Sequence, residues 1–246
     1  MTYPAPLIEA QFLKRYKRFF ADVRLASGET VVAHVPNTGS LRGVCDAGTK
    51  TPLPCRILKS NDPKRKLAYT LEQVQVNNVW VGVNTHRANE FAWQAFADKL
   101  ISHWAPYTDG AREVKISDES RLDLRLENKK TGHAHFVEVK SVTLARSQNK
   151  KSSCTALFPD SETTRGQKHL RDLMRLQLEP NTTTEILFVV QRSDCLDFAP
   201  AEDIDPEYAR LLREAQAAGV QISAYPVRLT AVGAELDGRS LLTIEL

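Results

Sequence analysis

Two nearby stretches constrain the fold of this chain more than any others. Phe136-Val137-Glu138-Val139-Lys140-Ser141-Val142-Thr143 alternates as a strand, so Val137 and Val139 point to one face while Glu138 and Lys140 share the other. Upstream, Arg121-Leu122-Asp123-Leu124-Arg125-Leu126 does the same, with three leucines on one face and Arg121, Asp123 and Arg125 opposite. If the two strands are neighbours and their polar faces coincide, Asp123 and Glu138 converge with Lys140 beside them. Two carboxylates hold a hard divalent cation such as Mg2+ or Mn2+ through oxygen, and an adjacent ammonium orients or deprotonates a water. That is the chemistry of metal-dependent phosphodiester cleavage. A solvated Glu–Lys pair on an edge strand has the same pattern, and the pattern alone is compatible with both.

Context separates this Glu-x-Lys from two others. Glu127-Asn128-Lys129 runs into a hairpin turn, and Glu113-Val114-Lys115 has no Asp-bearing strand before it. Only Glu138-Val139-Lys140 follows such a strand at hairpin distance.

The 246 residues suffice for one large domain or two small ones. No apolar run approaches a membrane span, and the Met-Thr-Tyr-Pro start does not read as a signal peptide. Cys45, Cys55, Cys154 and Cys195 lack Cys-x-x-Cys spacing, and the six His lack metal-ligand spacing. Neither a zinc site nor a disulfide framework is expected, and the thiols suit a reducing cytoplasm. Charge is unevenly shared. Residues 1–87 carry 13 Lys and Arg against 6 Asp and Glu, whereas residues 88–246 carry 20 against 24. A basic front half points to an anionic partner.

The front half reads as several short strands with turn signals, a small barrel or sandwich. Its opening, Phe12-Leu13-Lys14-Arg15-Tyr16-Lys17-Arg18-Phe19-Phe20, mixes four basic residues with four aromatics. Exposed, such a mixture suits a nucleic-acid groove, with Lys14, Arg15, Lys17 and Arg18 on phosphates and rings on bases; buried, the rings are core. Lys64, Arg65 and Lys66 form a second basic tip. Near residue 87 the pattern changes, giving expected domains of 1–87 and 88–246. A helix over 88–101 is followed by strands near 111–117, 121–127 and 134–144. A loop over 145–160 carries Arg146, Lys150 and Lys151. Thr164-x-x-Gln167 signals a capping box opening a helix over 165–178, with Lys168, Arg171 and Arg175 on one face. A strand over 185–191, a helix opened by Asp205-Pro206 and a strand over 220–227 complete an α/β arrangement, α+β overall, around a mixed sheet. Residues 140–175 hold eight basic residues against three acidic, a local reversal that suits a phosphate backbone.

Taken in order, Arg15-Tyr16-Lys17-Arg18-Phe19, Pro36-Asn37-Thr38-Gly39, Lys64-Arg65-Lys66, Val83-Asn84-Thr85 with Ala88-Asn89, Ser120-Arg121-Leu122-Asp123, Glu138 to Leu144, Phe158-Pro159-Asp160 and Thr164 to Leu170 closely resemble the sugar fermentation stimulation protein A family. The resemblance runs from about residue 12 to 225. It implies an OB-fold-like β-barrel joined to a restriction-endonuclease-like domain of the PD-(D/E)XK type, its central mixed sheet flanked by helices. It also implies DNA binding largely without sequence preference and a regulatory role in maltose metabolism. Asp123, Glu138 and Lys140 match the family's nuclease motif, and Gln167 and Lys168 lie on the helix where such nucleases place a substrate-contacting group. Two positions depart. Val35 replaces a frequent Cys, and Gln94 stands where relatives lead one to expect a helical Glu that supports the metal. The expectation is a cytoplasmic protein that binds single- or double-stranded DNA, with an active nuclease as the alternative. A sugar-converting enzyme ranks last, because the chain offers no Gly-rich phosphate loop and no carboxylate pair facing an aromatic platform.

Overall fold

The computed structural model describes residues 1–45, 51–147 and 154–246. The front half is a barrel made of β1 (Ile8–Tyr16), β2 (Phe20–Leu25), β3 (Thr30–His34), β4 (Leu53–Lys59) and β5 (Tyr69–Val76), extended by β6 (Val79–Gly82). The strands follow the order β3-β2-β1-β4-β5-β6, and a parallel β3–β5 pairing closes the first five into an OB barrel. Alternation along each strand fills its interior with Phe12, Ala21, Val23, Ala33, Ile57, Leu71 and Val74. Phe12 is therefore core, and Tyr16 stacks on Phe20 across the β1–β2 hairpin. Of the four opening aromatics, only Phe19 is exposed.

The back half is a mixed sheet with three helices. α1 (His86–Ala97) leads into β7 (Asp109–Ser117), β8 (Ser120–Asn128), β9 (His133–Val142), β10 (Ala145–Ser147) and β11 (Cys154–Phe158). Next come α2 (Thr164–Leu176), β12 (Thr182–Val190), β13 (Cys195–Pro200), α3 (Pro206–Ala217), β14 (Gln221–Leu229), β15 (Ala234–Leu236) and β16 (Thr243–Ile244). The main sheet runs β15-β14-β12-β9-β8-β7, parallel at β14-β12-β9 and antiparallel on both flanks. α1 covers one face through Phe91, Ala92 and Ala95. α2 and α3 cover the other, together with a small sheet ordered β10-β11-β13-β16.

Several expected boundaries move. α1 stops at Ala97 because Lys99 takes a left-handed φ of 54°, which turns the chain. The stretch expected as a loop over 145–160 supplies β10 and β11, each too short to show alternation; Lys150 and Lys151 lie outside the described residues. The cap of α2 is Thr163 rather than Thr164: its hydroxyl accepts from the Gly166 N–H at 3.0 Å. Asp205 caps α3 as expected, accepting from the Tyr208 N–H at 2.9 Å.

The two halves are bolted together by backbone and buried polar groups. The Gly82 N–H donates to the Gln191 carbonyl at 2.8 Å, while Gln191 Nε2 donates to Asn84 O and to Ser141 Oγ. Buried Glu72 of the barrel accepts from Asn84 and from both Nε and Nη2 of Arg87 on α1. Residues 1–3 return to the back half, where the Tyr3 N–H donates to Val232 O and Thr2 bridges to Gly233. Arg15 fixes the remaining edge. Its guanidinium donates to the carbonyls of Arg18, Asn37, Gly39 and Ser40, so it clamps the 36–41 loop. Asp160 of the back half grips the same loop by accepting from the Leu41 N–H at 2.9 Å.

Two outcomes follow from this docking. A Cβ at Gly82 would collide with the Gln191 side chain, which is held on Asn84 O and Ser141 Oγ, so Gly82→Ala is expected to cost about 1–3 kcal/mol by urea unfolding. Arg15→Ala should lower the urea midpoint by the equivalent of about 1.5–3 kcal/mol, because it releases the loop carbonyls. An unchanged midpoint would show that the clamp is idle.

Candidate functional site

The paired leucine pattern on β8 breaks at the residue that matters most. Leu124 and Leu126 pack on the α1 side of the sheet, whereas Leu122 joins the core on the α2 side. The three leucines therefore do not share one face as the alternation predicts. The β8–β9 ladder runs only from Asn128↔His133 to Leu124↔Val137. At the next step the strands part, and the Asp123 carboxylate enters the gap: Oδ2 accepts from the Val139 N–H at 2.8 Å, replacing a backbone partner. Its Oδ1 accepts from Asn89 Nδ2 on α1 at 2.6 Å.

Val139 is flanked in sequence by the other two motif residues, so this bond brings the Asp123 carboxylate to the same stretch of β9, near enough to feel the Glu138 and Lys140 charges. Glu138 and Lys140 face α2. Glu138 Oε1 accepts from Lys140 Nζ at 2.6 Å and contacts His169 Nδ1, which lies 3.1 Å from the same ammonium. Burial and the Glu138 charge push the Asp123 carboxyl up to about 6, against the pull of the Val139 N–H, Lys140 and Asn89. Burial also opposes ionisation of Glu138, but Lys140 and His169 outweigh it and hold the group below its usual range. Glu138 Oε2 is buried and has no hydrogen-bond partner among the described residues. A buried carboxylate with one oxygen uncommitted, near a half-buried second carboxylate whose pKa it raises, is a donor set that fits a hard divalent cation.

Two grooves flank this cluster. A cleft of about 440 Å³ between the domains is lined by Arg18 and residues 37–39 of the barrel, by Asn89, by residues 139–144 and by residues 157–165. A second groove, of about 600 Å³, is lined by residues 118–121, Thr164, Arg165, Lys168 and His169. The start of α2 separates the two, so Arg165 faces both. Neither Asp123 nor Glu138 lines these grooves; their partners do, Asn89, Val139 and Lys140 in the first and His169 in the second.

The predicted DNA contacts fare unevenly. Lys17 and Arg18 form the β1–β2 tip, and Arg18 lines the cleft. Arg15 is spent on the loop clamp, and Lys14 pairs with Asp22 at 3.2 Å. Lys64, Arg65 and Lys66 lie on the β4–β5 connection and line neither groove; Arg65 also donates to Thr70 Oγ1. Gln167 Nε2 donates to Asp205, so it braces α2 against α3. Lys168 donates to Glu119 O, and Arg171 pairs with Glu207 at 2.8 Å. Arg146 pairs doubly with Asp203. Gln94 turns away from the site and donates to Asp98, leaving Asn89 as the α1 residue that touches Asp123. Two groups escaped the sequence reading. His169 belongs to the inward stripe Gly166, His169, Leu170 and Leu173, a spacing that could have found it; Arg165 stands at the helix start with no such signal.

Comparison with known proteins agrees with this architecture. Residues 13–83 match the family model described as the SfsA N-terminal OB domain, and residues 86–233 match the sugar fermentation stimulation protein RE domain. The sugar fermentation stimulation protein homolog of Bdellovibrio bacteriovorus is 45% identical over 96% of this chain and 97% of its own length. That of Nitrosococcus oceani is 43% identical over 96% and 97%. The structure of Pyrococcus furiosus SfsA in complex with Ca2+ superposes with a TM-score of 0.82 at 26% identity, covering 100% of this chain and 98% of that one. With an OB barrel in front, a restriction-endonuclease-like domain behind and the match extending across both, this chain belongs to the sugar fermentation stimulation protein (SfsA) family.

Proposed function

We propose that the chain binds DNA in the cleft between its domains and that Asp123, Glu138 and Lys140 form a divalent-metal-dependent site for phosphodiester cleavage. One observation carries the reading: Glu138 Oε2 is buried and unpartnered near a second carboxylate whose pKa burial and the Glu138 charge raise. Asp123 and Glu138 would hold Mg2+ or Mn2+, and the Ca2+ in the archaeal relative's structure supports a hard cation on this fold. When bound, such an ion polarises a phosphoryl oxygen and makes a nearby water more acidic.

This chain's own residues do the rest. Asn89 and the Val139 N–H fix the Asp123 rotamer at both oxygens. His169 holds Glu138 and Lys140 in register from α2, so the ammonium stays beside the reacting centre. Arg18 and Arg165, neither ion-paired among the described residues, offer planar forks to phosphates along the cleft. Phosphate-directed cations recognise any sequence, consistent with binding that has little base preference. A regulatory role in maltose metabolism rests on the family resemblance alone.

Binding without cleavage is the second reading. Lys140 is already ion-paired with Glu138, and Gln94 brings no carboxylate to the site.

A cleavage assay on single- and double-stranded DNA separates the two. Wild type should cut with Mg2+ or Mn2+ and stop with chelator, and Asp123→Ala should lose at least about a hundredfold in rate. Binding with no cutting in any metal would leave the second reading standing. Affinity should also fall steeply with salt. The double variant Arg18→Ala and Arg165→Ala should flatten the log–log slope by about 2. An unaltered slope would place the DNA elsewhere.

A further inference from the structure

On the α1 face of the main sheet, three residues before Glu138 on β9, a second polar cluster lies within the core. His135 Nε2 sits 2.8 Å, and His103 Nε2 3.0 Å, from one oxygen of Glu185 on β12. The ligand-capable atoms of these three side chains all lie within 4.8 Å of one another. Glu185 is fully buried and His135 nearly so, whereas the His103 side chain is 28% exposed and opens the cluster to solvent. Trp104 Nε1 donates to the same Glu185 oxygen at 2.8 Å. The other oxygen, Oε1, is buried with no partner among the described residues.

We propose that His103, His135 and Glu185 form a site for a borderline-soft transition ion, Zn2+ being the natural occupant, separate from the carboxylate site at Asp123 and Glu138. Each imidazole can donate a ring N–H to Glu185 Oε2, as Trp104 does; a single metal ion replaces both ring protons and binds all three side chains. A donor set of two nitrogens and one oxygen favours Zn2+ or Co2+ over Mg2+ or Ca2+. Three protein ligands with a fourth position open at the His103 edge is the arrangement of zinc sites that keep an exchangeable ligand. The support behind the ligands is also in place: His135 Nδ1 lies 2.9 Å from Thr183 Oγ1, and Tyr107 stacks on the ring at 5.2 Å. Ligand spacings of 2.8 and 3.0 Å need to open by only about 0.3–0.5 Å to match a tetrahedron with bonds near 2.0–2.1 Å.

The test uses the full chain, stripped with chelator and titrated separately with Zn2+ and Co2+. One ion per chain is expected, the cobalt form showing visible ligand-field bands without a near-ultraviolet thiolate band. His103→Ala, a change at the surface that far-ultraviolet circular dichroism can check for folding, should weaken Zn2+ at least tenfold. Thr183→Val, which leaves the three ligands intact, should weaken it by about tenfold. Asp123→Ala should bind Zn2+ like wild type. No bound ion, or equal affinity in His103→Ala, overturns the site. So does a thiolate band, since Cys154, Asp194 and Cys195 form another cluster that could take the ion.

Discussion

The bond from the Val139 N–H to the Asp123 carboxylate is the interaction on which the candidate site depends. A backbone donor in the middle of a sheet requires an acceptor, and here the carboxylate of the neighbouring strand takes the place of a carbonyl. That substitution ends the β8–β9 ladder, sends Leu122 to the opposite core from Leu124, and sets two acidic side chains against each other inside the protein. Lys140 and His169 outweigh burial at Glu138, whereas at Asp123 burial and the Glu138 charge outweigh the Val139 N–H, Lys140 and Asn89, and its pKa is raised.

Around this centre the molecule spends its cations in two ways. Many are internal fasteners: Arg15 holds a loop, Arg87 joins the domains across buried Glu72, and Arg171 and Lys168 tie α2 to its neighbours. Among the described residues, the cations that line the cleft without an ion-pair partner are Arg18 and Arg165, which come from different domains. The positive character of the front half is therefore a poor guide to which cations are unpaired.

The parts legible in the sequence were those with a local period. Alternation at 121–126 and 136–143 picked out the strands that carry Asp123, Glu138 and Lys140, although Leu122 departs from it, and helical spacing picked out α1 and α2. Asp205 announced its helix because a cap acts within three residues. What escaped depends on partners far along the chain. Arg15 reads as a phosphate ligand until carbonyls more than twenty residues away claim it. Arg171 reads as free until Glu207 arrives on α3. The six His show no ligand spacing, yet β9, β12 and the turn at residues 102–104 bring His103 and His135 to Glu185, up to 82 residues apart. β10 and β11 were missed because three and five residues are too few to display a period.

Gln191 has a consequence for how the two halves share stability. It stands just past the end of a central strand, accepts the Gly82 N–H of the barrel and donates to Asn84 and Ser141. Melting either half would strand those groups in a dry seam, where each lost partner carries a desolvation penalty. The barrel is thus no tethered module that can swing or come undone alone. Strengthening or weakening one half is therefore expected to be felt by the other through this seam.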